Sequence, residues 1–318
     1  MTTTLVTGSS GFIGYHVSKA LLARGETVVG LDNENDYYEV SLKEARRSDL
    51  EKDPKFTFHK ANLENLAEVK AVFDAHKFDR VLNLAAQAGV RYSLVNPFAY
   101  VQTNIVGFHN LLELSKQAKV GNFVYASSAS VYGNNKKMPF SVGDKTDEPI
   151  SLYGASKMAD ELIAHSYSHF FGIPTIGLRF FNVYGPWGRP DGAFFIFAKA
   201  ILDGKKLDVF NYGKTVRNFT YVDDVVRGVL AALDHSTRFD VFNLGNARTV
   251  DLLTMISLLE KVCGKKAELN LLPPVPADIP ESGVDIAHTR EKLGWEPSVP
   301  IEEGVARLAS WYRSYYSI

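Results

Sequence analysis

The chain has 318 residues, a formal net charge of −1 and 22% charged residues, which excludes the strongly basic surface of a nucleic-acid binder or a polybasic membrane patch. Its 46% hydrophobic content is ordinary globular usage, enough for one large α/β unit with a smaller lobe. Cys263 is the only cysteine, no apolar run approaches the roughly 20 residues that span a bilayer, and no charged leader precedes the first strand, so a cytoplasmic location is expected.

In chain order, short β-branched runs at residues 4–7, 27–31, 57–60, 80–84, 123–127 and 175–178 read as strands. Between them, amphipathic stretches at 13–23, 66–75, 105–116 and 153–171 read as helices. Strict alternation of the two predicts an α/β fold with a doubly wound parallel sheet. Past Leu178 the texture becomes rich in Gly, Pro and aromatics, and four prolines fall within 271–280. The expected organisation is a dinucleotide-binding domain over 1–180 and a smaller C-terminal α/β substrate lobe over 181–318. A segment near 223–244 is expected to return to the first domain.

The first strand enters Gly8-Ser9-Ser10-Gly11-Phe12-Ile13-Gly14 and then a helix. Glycines at this junction allow a tight turn and close approach of backbone to a pyrophosphate at the helix N-terminus, the Rossmann-type arrangement. The second strand ends at Asp32, whose carboxylate would accept from ribose hydroxyls and repel a 2′-phosphate, so the expected cofactor is NAD. Lys43 and Arg46 follow, either near the cofactor phosphates or as solvated charges. Asp223 and Asp224 read as acids capping a helix. His165 and His169 read as ordinary helix-face residues.

Tyr153 and Lys157 stand four apart, on one helix face. A phenol titrates near 10, and bringing one to neutrality takes roughly 4 kcal/mol. An ammonium about 4 Å away, at an effective dielectric near 20, supplies that order of energy. The pair therefore reads as a general base with its tuning cation. Ser127, Ser128 and Ser130 lie at the carboxyl end of an upstream strand, where ligands bind in open α/β sheets. Ser128 reads as the hydroxyl that orients or relays the substrate proton, and one serine of the run as a local turn cap.

At Thr7–Gly14, Leu84–Arg91, Ser127–Gly133, Tyr153–Lys157 and Arg179–Asp191 the chain resembles the nucleotide-sugar epimerase/dehydratase branch of the extended short-chain dehydrogenases. The segments 31–38, 87–93 and 186–191 look most like the UDP-glucuronate 4-epimerases of that branch. The resemblance implies that Tyr153, helped by Ser128, removes a C4 hydroxyl proton while the C4 hydride passes to tightly held NAD. The 4-keto sugar then turns over and is reduced on its other face. It places Phe12, Ile13, Asn33 and Lys43 at the cofactor, with Asn62, Leu63, Leu84, Ala85 and Ala86. It places Gln87, Arg91, Ser127 and Ser128 at a UDP-sugar, with Asn182, Arg189, Asn211, Arg217 and Asp278. Phe194–Phe197 and the 211–213 turn either line the uracil pocket or pack in the core. Homodimerisation through the helices around 105–116 and 153–171 is also implied.

Related 4,6-dehydratases carry an Asp-Glu pair after the catalytic hydroxyl, and the decarboxylases a Glu. Here Ala129 and Ser130 follow Ser128, which favours plain epimerisation. Asn182 stands where many glucuronate epimerases have Thr and galactose-type epimerases have Asn. A 4-epimerase of UDP-glucose, UDP-galactose or their N-acetyl forms thus shares the pattern. So does an NAD-binding regulator without chemistry, against which the Tyr/Lys pair argues.

Overall fold

The computed structural model describes residues 2–274 and 282–317. Seven parallel strands form the central sheet: β1 (Thr3–Thr7), β2 (Thr27–Asp32), β3 (Phe56–Lys60), β4 (Arg80–Asn83), β5 (Asn122–Ser128), β6 (Thr175–Phe180) and β7 (Phe239–Leu244). Their spatial order is β7-β6-β5-β4-β1-β2-β3. The direction of winding reverses between β1 and β4, which opens a crevice at their carboxyl ends.

Alternate strand residues feed two apolar layers. Val6, Leu82, Val124 and Ile176 pack against Tyr15, Val17 and Leu21 of α1 (Phe12–Ala23) and Val225 and Val229 of α7 (Val222–Asp234). On the other face Leu5, Val29, Val81 and Phe123 meet α3 (Leu66–Ala75), α4 (97–117) and α5 (Leu152–Phe171). A third layer joins α6 (Ala193–Asp203), α8 (Leu252–Cys263) and α9 (Ile301–Tyr316) through Phe194, Phe197, Met255, Leu259 and Leu308. Burying a side chain of this size contributes about 1.5–3 kcal/mol.

Several elements differ from expectation. The helix α2 (Val40–Leu50) has too little apolar periodicity to announce itself, yet Leu42 and Leu50 are buried. The helix expected over 105–116 begins earlier, because Pro97 starts it behind the Asn96 cap. Its stretch Tyr100–Gly107 is wound as a π-helix. Asp224 does not cap α7, whose N-cap is Tyr221. It is fully buried and accepts from the Ser298 amide at 3.1 Å, the Val299 amide at 3.1 Å and Arg227 at 2.7 Å. It thereby clamps a segment more than 70 residues downstream to the sheet's covering helix.

No helix among the described residues is long and apolar enough to cross a membrane.

Candidate active site

A cleft of about 570 Å³ lies along the carboxyl ends of β1, β2, β4 and β5. Gly8, Gly11 and Gly14 form its floor at β1–α1. A Cβ on Gly14 would lie 2.0 Å from the Gly8 carbonyl oxygen, and one on Gly11 2.9 Å from it, so the turn admits no side chain there. Gly11 is the N-cap of α1, which has no side-chain cap bond and no acidic residue in its first turn. Its amides and dipole therefore remain available to an anion. Asp32 ends β2 with its carboxylate oriented by the Ser10 amide at 3.1 Å and the Glu34 amide at 2.8 Å. Burial pushes its carboxyl upward, with those amides and Lys43 pulling the other way. The cradle, the uncapped helix and the placed carboxylate together fit a dinucleotide.

Of the residues expected at the cofactor, Phe12, Ile13, Asn33, Leu63, Leu84, Ala85 and Ala86 also line the cleft. Asn62 does not, but its side-chain oxygen accepts from Asn33 at 3.1 Å and so braces a wall residue. Neither Lys43 nor Arg46 is solvated. Lys43 lines the cleft, hydrogen-bonded to Asn35 and over the Tyr38 ring. Arg46 is fully buried, donating to the Ser10 carbonyl at 2.9 Å, the Tyr38 hydroxyl at 2.8 Å, and the Trp187 and Gly188 carbonyls at 2.6 and 3.0 Å.

Ser128, Tyr153 and Lys157 line the same cleft. Tyr153 sits in the first turn of α5, which begins where the Ser151 hydroxyl accepts from the Gly154 amide at 3.0 Å. A Cβ on Gly154 would come 2.5 Å from the Ser130 carbonyl oxygen, so that glycine sets how closely α5 approaches the serine turn. The Ser128 hydroxyl oxygen caps this turn by accepting from the Ser130 amide at 3.2 Å, which leaves its proton free to donate. The turn-capping serine is thus the one expected from the sequence to meet the substrate. Ser127 donates to Glu161, which in turn holds Arg179 through bonds of 2.9 and 2.7 Å.

Gln87, Asn182, Arg189 and Arg217 line the same cleft as Ser128, Tyr153 and Lys157. Arg189 is held side-on by Asp191, and Tyr37 donates to the same carboxylate at 3.1 Å. Burial works against the guanidinium charge, but Asp191 outweighs it and holds Arg189 above its ordinary value. Phe194 and Phe195 line an adjoining pocket of about 240 Å³ shared with Asn182 and Arg189, whereas Phe197 packs in the core. Arg91 and Asn211 are not cleft-wall residues. Arg91 stacks over Phe210, its guanidinium 5.0 Å from the ring, and Asn211 donates to the Lys214 carbonyl at 2.6 Å. Asp278 lies outside the described residues.

Sequence reading missed Asn104. It accepts from the Gln87 amide at 2.8 Å and donates to the Gln87 carbonyl at 3.0 Å and to Ser156 at 2.9 Å. This one buried amide ties the β4 loop to the helix bearing Tyr153 and Lys157. The local pattern gave no signal, because Asn104 follows Gln102 and Thr103 in a polar run.

Residues 4–245 match the NAD dependent epimerase/dehydratase family. The chain belongs to that family. It is 46% identical over 333 residues to UDP-glucuronate 4-epimerase 4 of Arabidopsis thaliana, covering 99% of this chain and 76% of that one. Protein CapI of Staphylococcus aureus is 43% identical over 330 residues, covering 98% of each. Among solved structures, the UDP-glucuronic acid 4-epimerase of Bacillus cereus in complex with UDP-glucuronic acid and NAD superposes with a TM-score of 0.89 at 35% identity, covering 99% of this chain and 100% of that one. A UDP-glucose 4-epimerase of Thermotoga maritima with UDP-glucose superposes equally well, at 32% identity and 99% coverage of each chain. The chain is an NAD-dependent enzyme of this family, and its α/β fold is the family's.

Proposed function

We propose that this enzyme interconverts UDP-glucuronate and UDP-galacturonate by epimerisation at C4. The observation that carries the reading is Arg189, a fixed guanidinium in the wall that also holds Tyr153, in a chain related over its whole length to glucuronate epimerases. A planar guanidinium matches a carboxylate with two parallel bonds. For a uronate, Asp191 holds Arg189 in place until the substrate's carboxylate shares or takes over that edge.

Bound NAD would supply reversible hydride acceptance at the sugar's C4. Tyr153 takes the C4 hydroxyl proton and returns it after the sugar has turned. Ser128, its oxygen already engaged by the Ser130 amide, donates to the sugar oxygen and fixes its direction. Lys157 holds the nicotinamide ribose and places a positive charge beside Tyr153. Ala129 follows Ser128, so no acid or base stands there to drive elimination of water. The same reading includes a homodimer through α4 and α5, supported by the exposed apolar side chains Val101, Val106, Leu162, Phe170 and Phe171.

Asn182, also in the wall, favours a second reading, a 4-epimerase of neutral UDP-hexoses. Incubation with UDP-glucuronate, UDP-glucose and UDP-N-acetylglucosamine, followed by NMR of the products, separates the two. Much faster turnover of a neutral sugar would sink the uronate reading.

Arg189→Ala should lower kcat/KM for UDP-glucuronate by about tenfold to a hundredfold, since a charge-assisted bidentate contact is worth roughly 1.5–3 kcal/mol. Any UDP-glucose turnover should change by much less. A 4-ketouronate is a β-keto acid that loses carbon dioxide when its carboxylate bond stands perpendicular to the carbonyl plane. A released carboxylate should therefore also yield UDP-pentose, visible in the same spectra.

A further inference from the structure

Next to Lys157, α5 carries two adjacent buried acids, Asp160 and Glu161. Glu161 is fully accounted for by Arg179 and Ser127. Asp160 is not. It is 0% exposed, its Oδ2 accepts from the Lys157 ammonium at 3.1 Å, and its Oδ1 has no hydrogen-bond partner among the described residues. A buried carboxylate with one oxygen unmatched costs folding energy. Helix formation does not require it there, because α5 runs 20 residues between its Ser151 cap and Gly172 and Asp160 lies in the interior.

We propose that Asp160 is a positioning residue for the reaction, holding one N–H of Lys157 so that the ammonium directs its other two donors into the cleft. A lysine ammonium has three donors on a flexible stem, and nothing else intrinsic to it selects a direction. Spacing of three residues on one helix puts the carboxylate next to the ammonium on the buried side. From there it opposes any drift of Lys157 away from Tyr153 and the ribose it is to hold.

The groups facing Asp160 are Lys157 and Glu161 from α5 and the Tyr125 hydroxyl from β5, with Arg179 of β6 behind Glu161. Burial pushes Asp160 up to about 7, Lys157 pulling it down and Glu161 adding to the rise. The carboxylate is therefore neutral below about 7 and ionised above it, so its charge-assisted hold on the Lys157 donor is in force on the alkaline side.

This inference rests on the epimerase reading, and the test keeps the two apart. NAD-loaded wild type is first assayed with UDP-glucuronate and neutral UDP-sugars. No epimerisation of any of them would overturn the functional reading itself. Asp160→Asn and the smaller Asp160→Ser are then compared with wild type for kcat and KM across pH, with bound NAD and thermal melting followed in parallel. Expected is a kcat near wild type at about pH 6.5 that falls about tenfold below it by about pH 9, one pKa unit being a factor of ten. KM should stay within about twofold, since Asp160 does not line the cleft. Profiles that superimpose on wild type would overturn the proposal. So would a loss uniform at every pH with a lowered melting temperature, or failure of both variants to retain NAD, each of which marks a merely structural role.

Discussion

Tyr153→Phe should cost the enzyme about 10²–10⁴-fold in turnover, the usual worth of a positioned acid–base group, while leaving NAD bound and the fold intact. The reason is stoichiometric. An alcohol that gives up hydride must also give up its hydroxyl proton, and the product alcohol must take one back. Ser128 can pass a proton but has no acceptor strength of its own, and Lys157 as an ammonium offers only donors. The substitution removes one oxygen and no packing. Helix α5 keeps its Ser151 cap, its close Gly154 contact with the Ser130 carbonyl and the Lys157–Asp160 pair. Tyr100, edge-on to the Tyr153 ring with centroids 6.1 Å apart, keeps its aromatic neighbour. Turnover and bound NAD, the latter by absorbance after denaturation, check both halves. Turnover within a few-fold of wild type would remove Tyr153 from the chemistry.

A second large effect is expected far from the reacting atoms. Arg46→Ala should destabilise the protein by about 3 kcal/mol, less than the sum for four stranded acceptors because water can enter the space left. The larger consequence is for the loop that carries Arg189. Arg46 holds the Trp187 and Gly188 carbonyls, and His16 donates to the Pro186 carbonyl at 2.8 Å. Trp187 sits at φ +59°, a left-handed conformation unfavourable for a bulky side chain. Three consecutive carbonyls are thus pinned by α1 and α2 immediately before Arg189. Without Arg46 the strained turn can relax, and a displacement near 1 Å at Arg189 should lower kcat/KM by about tenfold to a hundredfold. Arg46→Lys should not rescue it, because one ammonium cannot span four acceptors. Urea unfolding and kinetics measure the two effects separately, and a fully active lysine variant would count against the loop-anchoring role.

His16 adds a pH dependence to the same anchor. Burial pushes its imidazole down to about 4, so the native state holds it neutral where an unfolded chain would protonate it near 6.5. A depressed histidine contributes stability that is fully present above about 6.5 and is lost as the pH falls towards 4. The 186–189 loop should therefore loosen on the acid side first.

The parts of the site that could be read directly from the chain are those whose geometry is local. Gly8 to Gly14 occupy one strand-to-helix turn, Asp32 ends the neighbouring strand, and Tyr153 and Lys157 are one helical turn apart. For such groups spacing alone sets position, given the right secondary structure. The alternation of short strands and amphipathic helices likewise implied a parallel doubly wound sheet, because only that arrangement buries both faces of so many apolar strands.

The positions of Ser128, Tyr153 and Lys157 were thus legible in the sequence, and folding brings all three to one cleft. Tertiary structure alone decided what surrounds them. Arg46 reaches carbonyls 141 and 142 residues away, Asn104 reaches Gln87 and Ser156, and Asp224 holds residues 74 and 75 positions downstream. Each is a polar group whose burial depends on elements that meet only after folding, so its local pattern is that of an ordinary surface residue. Asp160 combines the two cases. Its spacing from Lys157 is legible, but that its carboxylate is shut off from bulk solvent is a property of the packed core.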